Sequence, residues 1–353
     1  MNAELFRQDV VLERRVQASE QEHSKRSRLF LRLSDTGVEG YGEVAPQPND
    51  LNGDPGIDNV LHAVDIALGQ LADLTAREGG LPSWSRVASL GSQRPARRVG
   101  SALIEMAVLD RELRATSRSI EELWPARYTT PLQSTVSLLD EDTPWCVDPM
   151  SSRVRVKTAP GPIGVRSLER LASVGVPVLL DFNCSASSDD DVMSQVDQVR
   201  EVAVVSAVEQ PYGVGNVVDH ARLAARLDVD LSLDESVRSL RDVTQVVRYG
   251  AASMLCVKPA RVGGLANART LIERARELGL KVYLGGLFES PYARQVHRSL
   301  ANSTIEEPSD LGEVVVQEFE SQVRRIATSF GVEPSASTLA HATPLTVTRA
   351  DGP

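Results

Sequence analysis

At 353 residues the chain is longer than one hydrophobic core usually organises, so a large unit plus a smaller one, or a barrel with additions, is expected. Hydrophobic residues at 42% and charged residues at 24% are ordinary proportions that exclude a fibrous or disordered chain. The formal charge of -10 argues against a nucleic-acid partner, which would need a basic face to neutralise phosphates. Cys146, Cys184 and Cys256 lie far apart without a CxxC pair, signalling neither a disulfide framework nor a zinc site and fitting a reducing cytoplasm. Glu4, Arg7 and Asp9 leave no apolar signal segment at the start. No run approaches the ~20 apolar residues of a membrane span, so a cytoplasmic protein without a membrane partner is expected.

Taken in chain order, residues 1–126 read as an α+β unit. Residues 28–35 (RLFLRLSD) read as a strand, with Gly37, Gly40 and Gly42 punctuating the turns that follow. Ala102, Met106, Leu109 and Leu113 recur at helical spacing and predict a helix that buries one face. From about residue 127 to 325 the texture changes to short apolar runs followed by polar, helix-like stretches, the pattern of repeated βα units. Successive runs end at Lys157, Asp181, Glu209, Asp234, Lys258 and Gly285, giving steps of 24, 28, 25, 24 and 27 residues. One βα period of about 25 residues is thus repeated, as in a TIM-like barrel. Residues 326–353 are expected to return to the N-terminal unit as a C-terminal segment.

Five of these runs end in a charge. In a parallel barrel, function sits at the carboxyl ends of the strands, whereas the packed interior takes mainly Val, Ile and Leu. Any single Asp or Glu at a strand end reads more readily as a solvated loop charge or a helix cap. Regular spacing of all five favours a polar mouth. Three carboxylates on adjacent strand ends repel unless a cation sits among them, and hard oxygen ligands suit Mg²⁺. Lys157 and Lys258 flank that arc in chain order.

The set Arg155-Val156-Lys157, Asp181-Phe182-Asn183, Val208-Glu209-Gln210-Pro211, Leu233-Asp234-Glu235-Ser236 and Val257-Lys258-Pro259, followed by Gly263-Gly264, resembles the enolase superfamily. Within it the likeness is to the muconate-lactonizing subgroup, especially o-succinylbenzoate synthases and N-succinylamino acid racemases. The segments Gly40 to Pro46 (GYGEVAP) and Gly285 to Ser290 (GGLFES), the latter taken as the eighth strand, carry the same likeness. The resemblance implies a (β/α)7β barrel with an α+β N-terminal capping domain. It also implies one Mg²⁺ held by Asp181, Glu209 and Asp234, and Lys157 and Lys258 as the two amines beside a small carboxylate substrate. Arg155, Asn183, Glu289 and Ser290 would orient that substrate. Arg155 replaces the family's first lysine of Lys-x-Lys and, always protonated, would orient without acting as a base. Residues 14–28 resemble the substrate-covering loop of the family's N-terminal domain, and read equally as a solvated hairpin loop. Glu235, facing away from Asp234 on an extended chain, reads as a structural partner for a cation.

The resemblance implies proton abstraction next to a carboxylate, as in the dehydration that forms o-succinylbenzoate for menaquinone, with a racemase, epimerase or cycloisomerase as the alternative. Read without it, Lys258 could instead be a Schiff-base nucleophile of an aldolase, although the three carboxylates then have no purpose. A non-catalytic binding barrel has only Arg155 in its favour. The sequence leaves a homo-oligomer open.

Overall fold

The computed structural model describes residues 1–18, 21–88, 94–139, 142, 144–312 and 343–345, with the side chains of 13–23 and 343–345 outside the description. The first part is an antiparallel sheet backed by helices. Strands β1 (Asn2–Ala18), β2 (Gln21–Asp35) and β3 (Val38–Val44) precede helices α1 (Ile57–Glu78), α2 (Trp84–Ala88), α3 (Pro95–Ala115) and α4 (Ile120–Leu123). The segment read as a covering loop, 14–28, lies largely within β1 and β2, and its residues 19 and 20 fall outside the described residues. The strand read over 28–35 therefore begins earlier, and Arg26 and Arg28 on it are almost fully buried.

Helix α3 is buried on nearly every side from Arg98 to Asp110, not along one stripe, because β3 packs directly onto it. A Cβ at Gly40 or Gly42 would collide with the backbone carbonyls of Ala107 and Leu103, so only glycine admits this close approach. Helix α1 stops at Gly79, whose left-handed φ of 72° lets its N–H return to the Thr75 carbonyl.

The second part is a parallel sheet in the order β10-β9-β8-β7-β6-β5-β4. Its strands and helices alternate along the chain as β4 (Leu132–Ser137), β5 (Ser151–Lys157), α5 (Val165–Ala172), β6 (Val178–Asp181), α6 (Asp189–Arg200), β7 (Val205–Glu209), α7 (Val217–Ala224), β8 (Asp230–Leu233), α8 (Leu240–Tyr249), β9 (Met254–Val257), α9 (Pro259–Val262), α10 (Leu265–Glu277), β10 (Lys281–Leu284) and α11 (Pro291–Thr304). The central strands are short and largely buried, β6 and β9 from end to end, as expected where helices cover the outer face.

Residues Gly285–Ser290, read as an eighth strand, instead form the loop from β10 into α11, with Phe288 at φ 69°. The chain returns to the sheet further on. Ser309 N–H donates to the Pro131 carbonyl and Gln133 N–H to the Ser309 carbonyl, while Asp310 N–H donates to the Leu284 carbonyl. Residues 309 and 310 therefore bond to both edge strands, β4 and β10, and the sheet curls round to meet them. A final strand β11 (Thr343–Leu345) pairs antiparallel with β1. Among the described residues no helix is long and apolar enough to cross a membrane.

The two parts are tied together at α10. Gly264 precedes this helix and has no side chain to cap it. Glu105 of α3 supplies the acceptors instead, taking the N–H groups of Leu265 at 2.6 Å and Ala266 at 2.9 Å. A Cβ at Gly264, whose φ is 123°, would collide with Glu105 Oε2.

Candidate active site

The register of the parallel strands brings the charges together. Lys157 is paired with Asp181, Asp181 with Glu209, and Glu209 with Ser232, so three successive strands end at one level. Asp234 follows β8 directly and lies two residues beyond Ser232, hence on the same side of an extended chain. The Gln210 side chain fixes it there, its Oε1 accepting from the N–H groups of Asp234 and Ser236. Lys258 follows β9 in the same way. Asp181, Glu209 and Asp234 are each at most 1% exposed.

Each carboxylate is held by cations or hydrogen-bond donors. Lys157 Nζ donates to Asp181 Oδ2 at 2.6 Å and to Asn183 Oδ1 at 2.8 Å. Asp181 Oδ1 accepts the N–H of Asn183, which sits at a left-handed φ of 44°, a conformation asparagine tolerates. Lys258 Nζ donates to Asp234 Oδ2 at 2.8 Å, and Arg261 donates to both Asp234 Oδ1 and its carbonyl. The other side of the Arg261 guanidinium forms a bidentate pair with Asp54, at 2.7 and 2.6 Å, from the loop before α1. Glu209 accepts from the Tyr283 hydroxyl and, at 3.5 Å, from Arg155 Nη1. Arg155 also binds Thr135 and the Asp310 carboxylate.

Burial and the Asp181 charge push the Glu209 carboxyl well above the ordinary range. Burial would do the same to Asp234, but Arg261 and Lys258 hold it below its usual value. Burial lowers and Asp234 raises the Lys258 ammonium, which ends above its ordinary value. Glu235, expected to face a cation, instead accepts from Asn183 Nδ2 at 3.3 Å. Its Oε2 is buried without a hydrogen-bond partner, and burial together with Asp234 and Asp181 pushes the group up to about 7.

Donor atoms of Glu209, Asp234 and Cys256 lie within 4.8 Å of one another. Asp181 falls outside that set, its oxygens turned to Lys157 and the Asn183 amide. The Cys256 thiol is raised well above its usual range by burial and by Asp234 and Glu209, so it stays protonated and the available donors are carboxylate oxygens. Buried, mutually repelling oxygen donors on adjacent strands fit a hard divalent cation.

Glu289 and Ser290 stand in the loop before α11. Glu289 Oε2 accepts the Leu287 N–H, while Ser290 caps the helix by accepting from Tyr292 N–H and donates to Glu43. Arg261, Tyr283 and Asp310 are site residues that motif reading missed. Arg261 had a usable signal in its place three residues after Lys258, but the partners of Tyr283 and Asp310 become visible only once the sheet is curled.

Residues 153–329 match the family described as enolase C-terminal domain-like. The chain is 29% identical over 293 residues to the N-succinylamino acid racemase of Amycolatopsis sp, covering 79% of this chain and 76% of that protein. It is 28% identical over 224 residues to the o-succinylbenzoate synthase of Enterococcus faecalis, 60% of each chain. The crystal structure of N-succinyl Arg/Lys racemase from Bacillus cereus shares the fold with a TM-score of 0.79 at 16% identity, covering 97% of both chains. With its family match spanning just over half its length and its strand-end charges aligned at one level, the chain belongs to the enolase superfamily.

Proposed function

We propose that this protein removes the proton next to the carboxylate of a small-molecule substrate, using one Mg²⁺ held by Asp181, Glu209 and Asp234. In this reading the curled sheet serves as a (β/α)7β barrel over residues 127–325, residues 1–126 cap it, and residues 326–353 return to the cap. The observation that carries the proposal is that two lysines flank three buried carboxylates across five successive strands, each amine hydrogen-bonded to the nearest carboxylate. The bound ion supplies positive charge opposite the substrate carboxylate as negative charge builds on its oxygens.

Lys157 takes the proton at the α-carbon. It can do so only when its hold on Asp181 loosens, and Asn183 Oδ1 then keeps Nζ in place. Lys258, paired with Asp234, presents an ammonium on the other side of the carboxylates. Arg155, anchored by Asp310 and Thr135, orients the substrate as a fixed cation. Glu289 and Ser290 shape the neighbouring loop through their bonds to Leu287 N–H and Glu43. Burial of the whole set excludes water and strengthens each of these charges.

The reaction proposed is a dehydration of the o-succinylbenzoate synthase kind, feeding menaquinone synthesis in the cytoplasm. Free thiols at Cys146, Cys184 and Cys256 support a reducing setting. A racemase of N-acyl amino acids is the second reading, favoured by the presence of a second amine and by the name of the Amycolatopsis relative. A panel of carboxylates incubated with the protein and Mg²⁺ in D₂O and followed by NMR tests the proposal. Exchange of the α-proton is expected for at least one substrate class, and it should stop when a chelator is added. Absence of exchange across o-succinylbenzoate precursors, N-succinylamino acids and muconates would sink the reading.

A further inference from the structure

The loop before α1 reaches across to the strand ends that carry the charges. Leu51 N–H donates to the Asp54 carbonyl at 2.9 Å and Asp54 N–H to the Leu51 carbonyl at 2.7 Å, closing a tight turn over Asn52 and Gly53. Both central residues are left-handed, at φ 47° and 76°, the combination that an Asn-Gly pair supplies. Asn52 Nδ2 donates to the Asn183 carbonyl at 3.2 Å. Arg238 donates to the Asn52 carbonyl at 2.7 Å and to the Glu235 carbonyl at 2.9 Å, so the turn is tied to the chain just beyond both β6 and β8. Asp54 reaches further in. Its two oxygens accept from Arg261 Nε and Nη2, while the remaining arm, Nη1, donates to Asp234 at its carbonyl and at Oδ1. Asp54, Arg261 and Asp234 are 6%, 4% and 1% exposed, so little water screens these charges.

Arg261 is thus a cation set against a residue that has another cation to hold. With Asp54 in place, the fork of the guanidinium is occupied, its charge is balanced, and it meets Asp234 through one nitrogen only. Without Asp54, the same guanidinium would carry an uncompensated buried charge and could turn its fork onto Asp234; both changes disfavour a divalent ion there. We infer that Asp54 is a positioning residue for Asp234: acting through Arg261, it keeps that carboxylate available to the cation, so the ion's affinity depends on how the N-terminal part of the chain is seated. The inference rests on the functional reading above, from which it takes Asp234 as a Mg²⁺ ligand, and adds to it a residue from outside the parallel sheet. Coupling of this kind is reciprocal, so Mg²⁺ steadies in return the turn that carries Asp54.

Calorimetric titration of the full chain with Mg²⁺ tests the inference. Asp54→Asn is expected to weaken binding ~10–100-fold, the usual cost of losing a residue that orients a metal ligand. Glu105→Ala loosens the other tie between the two parts without touching Asp234, and should leave the affinity within about twofold of wild type. In an Arg261→Gln background, Asp54→Asn should likewise change the affinity by no more than about twofold, because its route to Asp234 is gone. Amide hydrogen exchange of the wild-type protein gives a readout that needs no variant to fold: saturating Mg²⁺ should slow exchange of the Leu51 and Asp54 N–H groups. Wild-type affinity in Asp54→Asn, an equal loss in Glu105→Ala, a full Asp54 effect without Arg261, or exchange in the turn indifferent to Mg²⁺ each overturns the role of Asp54 while leaving the metal reading intact. A wild-type protein that binds no Mg²⁺ overturns the metal reading and this inference with it.

Discussion

Lys157 and Lys258 occupy similar positions but are held differently. Lys157 shares its amine between Asp181 and the neutral Asn183, whereas Lys258 faces Asp234, a carboxylate that Arg261 and Asp54 lock from behind. An elimination needs a proton acceptor on one side and only a positive charge on the other. Arginine keeps the charge but does not exchange a proton near neutral pH. Lys258→Arg is therefore expected to retain measurable elimination, and Lys157→Arg to lose ~10²–10⁴-fold in kcat, the usual cost of removing a general base. Equal, complete loss in both variants on an elimination substrate would instead favour a two-base racemase. At this scale the sequence was informative where a residue type and its spacing coincide, as for the five strand-end charges. It was silent where a side chain is chosen by a distant neighbour: nothing near Asp310 in the chain announces that its carboxylate anchors Arg155.

Individual elements carry two further predictions. Helix α10 begins at a glycine and is capped by Glu105 of α3, an acceptor 160 residues earlier in the chain. Glu105→Ala leaves the buried Leu265 N–H without an acceptor, at a cost of ~1–3 kcal/mol, and frees the part-buried Ala266 N–H, which water can reach, at a smaller one. Gly264→Ala should destabilise as well, since its Cβ collides with Glu105 and its φ is one that alanine avoids. Urea midpoints of the two variants check this, and midpoints equal to wild type would show that the cap carries no energy. The helical period of α3 was legible in the sequence, but its all-round burial was not, because periodicity cannot say how many faces will find a partner. On α7, His220 is 1% exposed, donates Nδ1–H to the Asn216 carbonyl at 2.8 Å and lies against Tyr212. Burial depresses its pKa from 6.5 to about 4, the Asn216 carbonyl acting in the opposite sense. Folded protein thus binds fewer protons than unfolded protein between those values. Its stabilising contribution is full above pH 6.5 and falls by about 3 kcal/mol as pH drops to 4. His220→Phe keeps the ring packing and removes this dependence. The stability difference between wild type and variant should therefore narrow on acidification, and a difference independent of pH would refute the assignment.

For the molecule as a whole, the buried carboxylates make stability depend on the cation. Mg²⁺ at about 100 times its Kd adds about 2.7 kcal/mol to a protein that binds it only when folded. Thermal midpoints should accordingly rise with Mg²⁺ in the wild type and lose most of that rise in Asp181→Asn, Glu209→Gln or Asp234→Asn; a wild-type midpoint indifferent to Mg²⁺ argues against the site. Without metal, Glu209→Gln is expected to unfold no earlier than the wild type, because burial and Asp181 disfavour its charge, whereas Asp234→Asn should unfold earlier, since it deprives the buried Lys258 and Arg261 of their carboxylate. The βα repeat from Lys157 to Gly285 was readable from apolar runs alone, since each buried strand is both short and continuous. The last return of the chain was not, because among the described residues only 309 and 310 bond to the neighbouring strands through their backbone, too short a stretch to leave a pattern. That short stretch has a consequence for solubility. An open parallel sheet exposes a row of unpaired N–H and C=O groups on each outer strand, a template on which other chains can add. Ser309 and Asp310 engage β4 on one side and β10 on the other. Two residues thus guard both flanks of a seven-stranded sheet against self-association.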